Sequence, residues 1–371
     1  MSDKFIVTNF AYGTGPYLRT TELAIAFNNE LERLGKSKLG VIVPWVYGEK
    51  QKRIMREEFG DVPEIILDDK LGAVLKKVFY SDESFEKYLE QWVKNASAVS
   101  AEARNDLLKT YGDKIVVELN RSPRISYNIA PSYFTSFGYL SEIFQKAASE
   151  NKITLNKNLL GTAVEVADKI EKNQKIHCIA YPATPAYLEN RPPRYSSEIE
   201  VPPITSFPKI NMDSIEKGIY ITVSGISGLE KLYEQAGKLS IKIYSNNPNV
   251  VPNSEKALPE IITNKNIIFQ FARSGWGSVW LSLFAGTPLV VPEYDSADDP
   301  EIYFNNLTIE KLGIGIIYRG QSLDELLKQA KEVKNNMAKI RQKIFDRWGT
   351  LDGNQYCAKL FVEDCIKSRY L

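Results

Sequence analysis

The residues of this chain best suited to chemistry are the six that read RSGWGS, at positions 273–278. They lie between an apolar run, IIFQFA, and a helical run holding Trp280, Leu281 and Leu283. At a strand-to-helix turn of this kind glycine lets the backbone approach a ligand, and the unpaired N–H groups at the helix start, with the helix dipole, attract an anion. Gly275, Gly277 and Ser278, with Ser274 beside them, would hold a diphosphate. Arg273 would add a charge-assisted bond. The alternative is a tight connection that needs glycine for geometry alone, since one short glycine-rich turn is a weak motif.

Such a turn needs elements to hold it. The chain opens as strand, loop and helix: FIVTNF, AYGTGPYLR, then a helix from about Thr20 whose Leu23, Phe27, Leu31 and Leu34 share one face, with Gly35 as its stop. KLGVIVPWV, a polar helical stretch after Gly48 and a strand at 64–67 complete a βαβαβ series, which implies a parallel sheet. A long helix over about 85–108 and the strand runs KIVVEL and IHCIAY carry this unit to residue 190. Pro192, Pro193, Pro202, Pro203 and Pro208 remove backbone donors and mark a linker at 191–213. A second series follows: GIYITV, a glycine loop, LEKLYEQAG, SIKIYS, IIFQFA, the RSGWGS turn and PLVVP. Ser322 with Glu325 makes a capping box for a helix running toward Trp348. The expected architecture is therefore α/β, with two Rossmann-like domains, 1–190 and 214–350, facing across a cleft, and a closing helix at 351–371 packing back toward the first.

Composition narrows the function classes. The 371 residues are 43% apolar and 25% charged, enough for two cores, and 47 basic against 46 acidic side chains lack the basic footprint of a nucleic-acid binder. Cys178, Cys357 and Cys365 form no CxxC pair, so neither a zinc site nor a disulfide framework is indicated, which fits a reducing cytoplasm. No run approaches the ~18–20 apolar residues of a membrane span, which leaves room only for peripheral contact at an inner membrane face. His177, the single histidine, lies in a strand run and reads as a buried structural group. The aromatic run at 126–140 reads either as core or as a stacking surface, and Arg121 and Arg124 before it read either as ordinary exposed arginines or as phosphate contacts.

Beyond the turn the sequence continues RSGWGSVWLSLFAGTPLVVPEYDSADDPEIYFNN. This resembles the donor-binding signature of GT-B glycosyltransferases, both the plant UDP-glycosyltransferases, with their HCGWNS box, and the bacterial lipid II-forming N-acetylglucosaminyltransferase. Gly275, Trp276 and Ser278 match, Gly286 and Pro288 keep the separation, Pro292 falls one residue early, and Asp299 with Asn305 matches the closing elements. The opening loop YGTGPYLR, with Gly13, Thr14 and Gly15, looks like the bacterial family's GTGGH-type loop, and ITVSGISG, with Gly225, Ser227 and Gly228, looks like the loop that opens its donor domain. The resemblance implies a hexosyltransferase-type enzyme that moves a sugar from a nucleoside-diphosphate sugar, UDP-sugar first, to a hydroxyl of a glycan, lipid or small molecule. It implies no cofactor and no metal, because the helix start and cationic side chains neutralise the departing diphosphate. Asp295, Asp298, Asp299 and Glu301 then form a solvated acidic loop in which Asp299, helped by Glu301, accepts bonds from sugar hydroxyls; a metal site is the competing reading.

Three departures from the family pattern bear on activity. Arg273 stands where the plant box has histidine, which keeps a cationic donor. Leu281 stands where a glutamate grips the ribose, and Ser282 beside it is shorter. Tyr17 stands at the loop position of the histidine base, and a phenol of pKa near 10 is a poor base at neutral pH. Asp68, Asp69 and Glu118, at strand ends expected to face the cleft, are the remaining bases. Two other functions fit the same architecture: a sugar-nucleotide 2-epimerase, and a GT-B-derived binding protein without turnover.

Overall fold

In chain order the elements are β1 (Phe5–Asn9), α1 (Thr14–Arg33), β2 (Gly40–Pro44), α2 (Glu49–Phe59), β3 (Ile65–Asp68), α3 (Asp69–Leu75), α4 (Phe85–Tyr111), β4 (Ile115–Asn120), β5 (Ser132–Ser136), α5 (Leu140–Ala147), α6 (Lys157–Glu171), β6 (Ile176–Ala180) and β7 (Glu198–Val201). There follow β8 (Gly218–Ile221), α7 (Glu230–Lys238), β9 (Lys242–Ser245), β10 (Glu255–Lys256), β11 (Ile267–Phe271), α8 (Trp276–Ala285), β12 (Leu289–Pro292), α9 (Pro300–Leu312), β13 (Gly315–Tyr318), α10 (Leu323–Trp348) and α11 (Gly353–Lys367). The structure is a computed structural model that describes residues 3–9, 14–78, 84–121, 124–184, 191–205, 208–222 and 229–371.

Two parallel sheets result, ordered β3-β2-β1-β4-β5-β6-β7 and β10-β9-β8-β11-β12-β13. The strand order reverses between β1 and β4 in the first sheet and between β8 and β11 in the second. Such reversals open a crevice beyond the carboxyl ends of the strands, where α/β proteins bind ligands. The RSGWGS turn leaves β11 at that edge, so the topology places it where a ligand can reach it.

The helices follow from their sequences. In α1, Leu23, Phe27 and Leu31 are buried, while Leu34 falls after the last turn and is exposed. Gly35 takes φ +71° as the chain leaves the helix, a conformation that disfavours a side chain. Ser322 Oγ accepts from Glu325 N and Glu325 Oε2 from Ser322 N, which closes the expected capping box on α10. Among the described residues no helix is long and apolar enough to cross a membrane.

The proline-rich stretch departs from the expectation of an irregular linker. Glu198–Val201 pairs with β6 as the last strand of the first sheet, because the prolines at 192–193 and 202–203 flank the paired residues and cost the ladder no donor. The chain's end meets this stretch: Gly353 N donates to Pro203 O at 3.0 Å, and a Cβ at Gly353 would stand 2.4 Å from that oxygen. From there α11 packs along α1, and Asp364 accepts from Tyr133 OH at 2.6 Å. The aromatic run at 126–140 is core: it contributes β5, and Tyr127, Tyr133, Phe134 and Tyr139 are fully buried. His177 is buried between Phe134 and Tyr139, edge to face with both.

Candidate functional site

β11 is an apolar, buried strand that ends at Phe271, and the chain reaches α8 through four residues. Gly275 is the N-cap of α8 and offers no side chain to the helix's first N–H groups, and the first turn holds no acidic residue. Among the described residues, a Cβ built at Gly275 or at Gly277 meets nothing within 4 Å. The start of α8 is thus an uncapped, positively polarised helix terminus bordering open space, the arrangement that binds phosphate. Arg273, half exposed, stands beside it in an ion pair with Asp298. Ser274 does not face that space: it is fully buried, and its carbonyl accepts from Asn305 Nδ2 at 2.8 Å.

The turn is anchored from both sheets. Trp276 donates its indole N–H to Thr184 Oγ1, Thr184 donates to Asn305 Oδ1, and Trp280 donates to Pro182 O at 3.0 Å. Asn305 also donates to Glu301 Oε1 at 3.1 Å. Arg121 lies 5.8 Å from the Trp280 ring centre and donates to Ile204 O at 2.7 Å. Thr184 carries no sequence signal of its own. Asn305, by contrast, was legible as the closing element of the signature.

The acidic loop distributes its carboxylates rather than gathering them. Asp295 accepts from Ala297 N at 3.1 Å, Asp298 pairs with Arg273, and Asp299 caps α9 by accepting from Glu301 N at 2.9 Å. Among the described residues no group of three or more His, Cys, Asp or Glu side chains is arranged to hold a metal ion. Burial raises the Asp299 carboxyl, with the charge of Arg124 opposing. Burial, then the charge of Asp299, pushes Glu301 up to about 7.

Arg124 is not an ordinary exposed arginine. It is 6% exposed, with its guanidinium 5.3 Å from the Tyr88 and Trp92 rings and 5.8 Å from Phe144. Trp92 Nε1 fixes its carbonyl at 2.5 Å. Aromatic faces shelter a guanidinium that surface arithmetic would have left in water.

The four base candidates are not brought together. Tyr17 is buried against Tyr47, ring centres 5.7 Å apart, and burial followed by Tyr47 pushes its phenol up to about 12, which makes it a poorer base still. Asp69 is exposed at the start of α3, beyond the edge strand β3. Asp68 caps α3 through Leu71 N and accepts from Tyr111 OH, both at 2.9 Å. Glu118 is buried with Oε1 accepting from Ile129 N at 2.6 Å and Ala130 N at 3.3 Å; burial raises it to about 7 against those bonds. Its carboxylate holds the loop before β5 instead of standing free at a strand end.

Gly15 falls in the first turn of α1, and Gly13, Gly225, Ser227 and Gly228 lie outside the described residues. Leu281 packs on the apolar layer of Tyr220, Tyr244, Ile261, Ile262 and Ile267, and Ser282 turns inward to Gln270 Oε1 at 2.9 Å, so neither replaces the missing glutamate. The short helical turn Pro259–Thr263 against α8 carries a residue that sequence reading passed over: Glu260, whose Oε2 is buried without a partner among the described residues. A groove of about 370 Å³, whose lining includes Ser97 and Arg104 of α4 and Lys169 of α6, contains none of these residues.

Two parallel sheets with flanking helices, and a glycine turn at the reversal point of the second, define the GT-B fold. Solved structures share it over nearly the whole chain. A UDP-glucose:anthocyanidin 3-O-glucosyltransferase in complex with UDP has a TM-score of 0.65 at 9% identity, over 98% of each chain. A UDP-glucosyltransferase from Polygonum tinctorium capable of glucosylating indoxyl has 0.64 at 10%, over 97% of this chain and 98% of its own. The glycosyltransferase SnogD from Streptomyces nogalater has 0.59 at 14%, over 98% and 99%. At these identities the likeness is one of fold. No family model and no curated protein sequence matches the chain.

Proposed function

We propose that this chain is a glycosyltransferase that moves a sugar from a nucleoside diphosphate, UDP first, to a hydroxyl of a small-molecule acceptor, without a metal. The observation that carries the reading is the uncapped start of α8, with open space above Gly275 and Gly277 at the reversal point of the second sheet. A diphosphate seated there takes the N–H groups of the first turn, and Arg273 exchanges Asp298 for a phosphate oxygen. Those donors stabilise the charge that grows on the leaving diphosphate. Fold relatives in complex with UDP support the choice of nucleotide, and one in complex with quercetin supports a small hydroxylated acceptor.

For the sugar we assign Glu301 the role first given to Asp299, because Asp299 spends an oxygen capping α9 while Glu301 stands half-buried beside Asn305. For the ribose we assign Glu260, whose unpartnered carboxylate oxygen takes over from Leu281. The positions of Tyr17, Asp69 and Glu118 count against each as the base, so the proton of the attacking hydroxyl passes to Glu301 or to the leaving phosphate. The domain limits 1–190 and 214–350, with 191–213 between them and 351–371 closing on the first domain, remain our reading of the chain. Incubation with labelled UDP-glucose and a phenolic acceptor in EDTA tests the function. Release of UDP matched by glycoside is expected; a strict requirement for added Mg²⁺ or Mn²⁺ would return the acidic loop to a metal-binding role.

A further inference from the structure

Thr184 stands just past β6, fully buried, with its N–H donated to Phe137 O at 2.7 Å. Its hydroxyl makes two bonds, and their directions are fixed by chemistry. An indole N–H can only donate, so Thr184 Oγ1 must accept from Trp276, which leaves the single hydroxyl proton for Asn305 Oδ1. That bond settles which way the Asn305 amide points. Its Nδ2 is thereby aimed at Ser274 O, 2.8 Å, and Glu301 Oε1, 3.1 Å. One hydroxyl on the first sheet's side therefore orders three parts of the second: the first residue of α8, the turn before it and the first turn of α9.

We propose that Thr184 is a positioning residue that couples the seating of the two halves to the shape of the donor turn, through Trp276 and the orientation of Asn305. The inference rests on the reading of that turn as the donor site. Without the hydroxyl the Trp276 N–H and Asn305 Oδ1 are buried unpaired, and the amide keeps only its two Nδ2 bonds, to Ser274 O and Glu301 Oε1, with its oxygen end no longer tied to the first sheet's side. Valine matches threonine in shape and removes only this polarity; serine restores it.

The test compares wild type, Thr184→Val and Thr184→Ser by UDP titration, by kcat and KM for sugar transfer, and by near-UV circular dichroism of the indoles. Thr184→Val is expected to lower kcat/KM by roughly 10–100-fold, the effect of leaving a buried donor and acceptor unpaired, and to change the indole spectrum. Thr184→Ser is expected to recover both. Wild-type kcat, KM and indole spectrum in Thr184→Val, or loss in Thr184→Ser equal to that in Thr184→Val, would overturn the proposal. If wild type binds no UDP, the donor-site reading fails, and the indole spectra of the three proteins still decide whether Thr184 orders the turn. If Thr184→Val does not fold, Asn305→Asp takes its place: it keeps the bond from Thr184 but removes the amide donor, and unaltered UDP affinity and turnover there would equally refute the coupling.

Discussion

The two strand-end regions that face the cleft solve different problems. In the second half, after β11, the recognition we propose is by backbone: an uncapped helix start, two glycines with open space above them among the described residues, and one arginine held by a surface carboxylate. In the first half, after β1, β3 and β4, the acidic and phenolic side chains are already engaged or exposed at the edge: Tyr17 is buried, Asp68 caps a helix, Glu118 holds a loop and Asp69 is exposed at the start of α3. Backbone recognition requires a particular local sequence, so it leaves a motif. Proton transfer requires only one carboxylate at the right place in space, which any strand end or helix start can supply.

The largest effect expected from breaking this contrast is at Gly277. Because a Cβ there meets no atom of the described residues within 4 Å, Gly277→Val should fold normally, yet its side chain would occupy the space above the helix start. UDP binding measured by calorimetry should disappear while the melting temperature stays close to that of wild type. Arg273→Ala comes next, with a loss of about 1.5–3 kcal/mol in UDP affinity, the range for a hydrogen bond to a charged group. Asp298→Asn, which frees Arg273 from its partner, should shift affinity the other way. Weaker binding in Asp298→Asn would mean that the carboxylate organises the site instead of competing with the phosphate.

How much of this was legible beforehand depended on the range of the interactions. The two βαβ series, the turn at 273–278 and the Ser322 capping box came from local patterns, and the structure contains them. β5 was hidden because an aromatic run with proline does not alternate, and β7 because prolines on both sides masked four paired residues. Arg124 was misjudged because its shelter comes from Tyr88 and Trp92 of α4 and Phe144 of α5, separate in sequence. Thr184 and Glu260 belong to no motif, and only their unusual bonding singles them out.

A smaller effect should appear at Glu301. Its carboxyl, raised to about 7, is protonated below that pH, so a reaction that uses the carboxylate gains rate as pH rises through about 7. Glu301→Gln should remove this limb of the kcat profile, and an unchanged profile would leave the leaving phosphate as proton acceptor. The smallest effect expected concerns stability at Glu118. The folded protein holds that proton up to about 7, whereas the unfolded chain releases it near 4.5, so the folded state binds more protons in between and stability falls as pH rises through this window. Glu118→Gln should flatten that fall and raise Tm at pH 8 by roughly 2–4 °C, the shift that about 1 kcal/mol gives a domain of this size. A large loss of turnover in this variant would instead restore Glu118 as the base.

The central claim is that the start of α8 is a diphosphate site that works without a metal. Calorimetric titration of UDP into the wild-type protein in EDTA, beside Gly277→Val, tests it most directly. Saturable binding to wild type and none to the variant is the predicted result. Equal affinity in the two proteins, or no binding to wild type until a divalent ion is added, would contradict it.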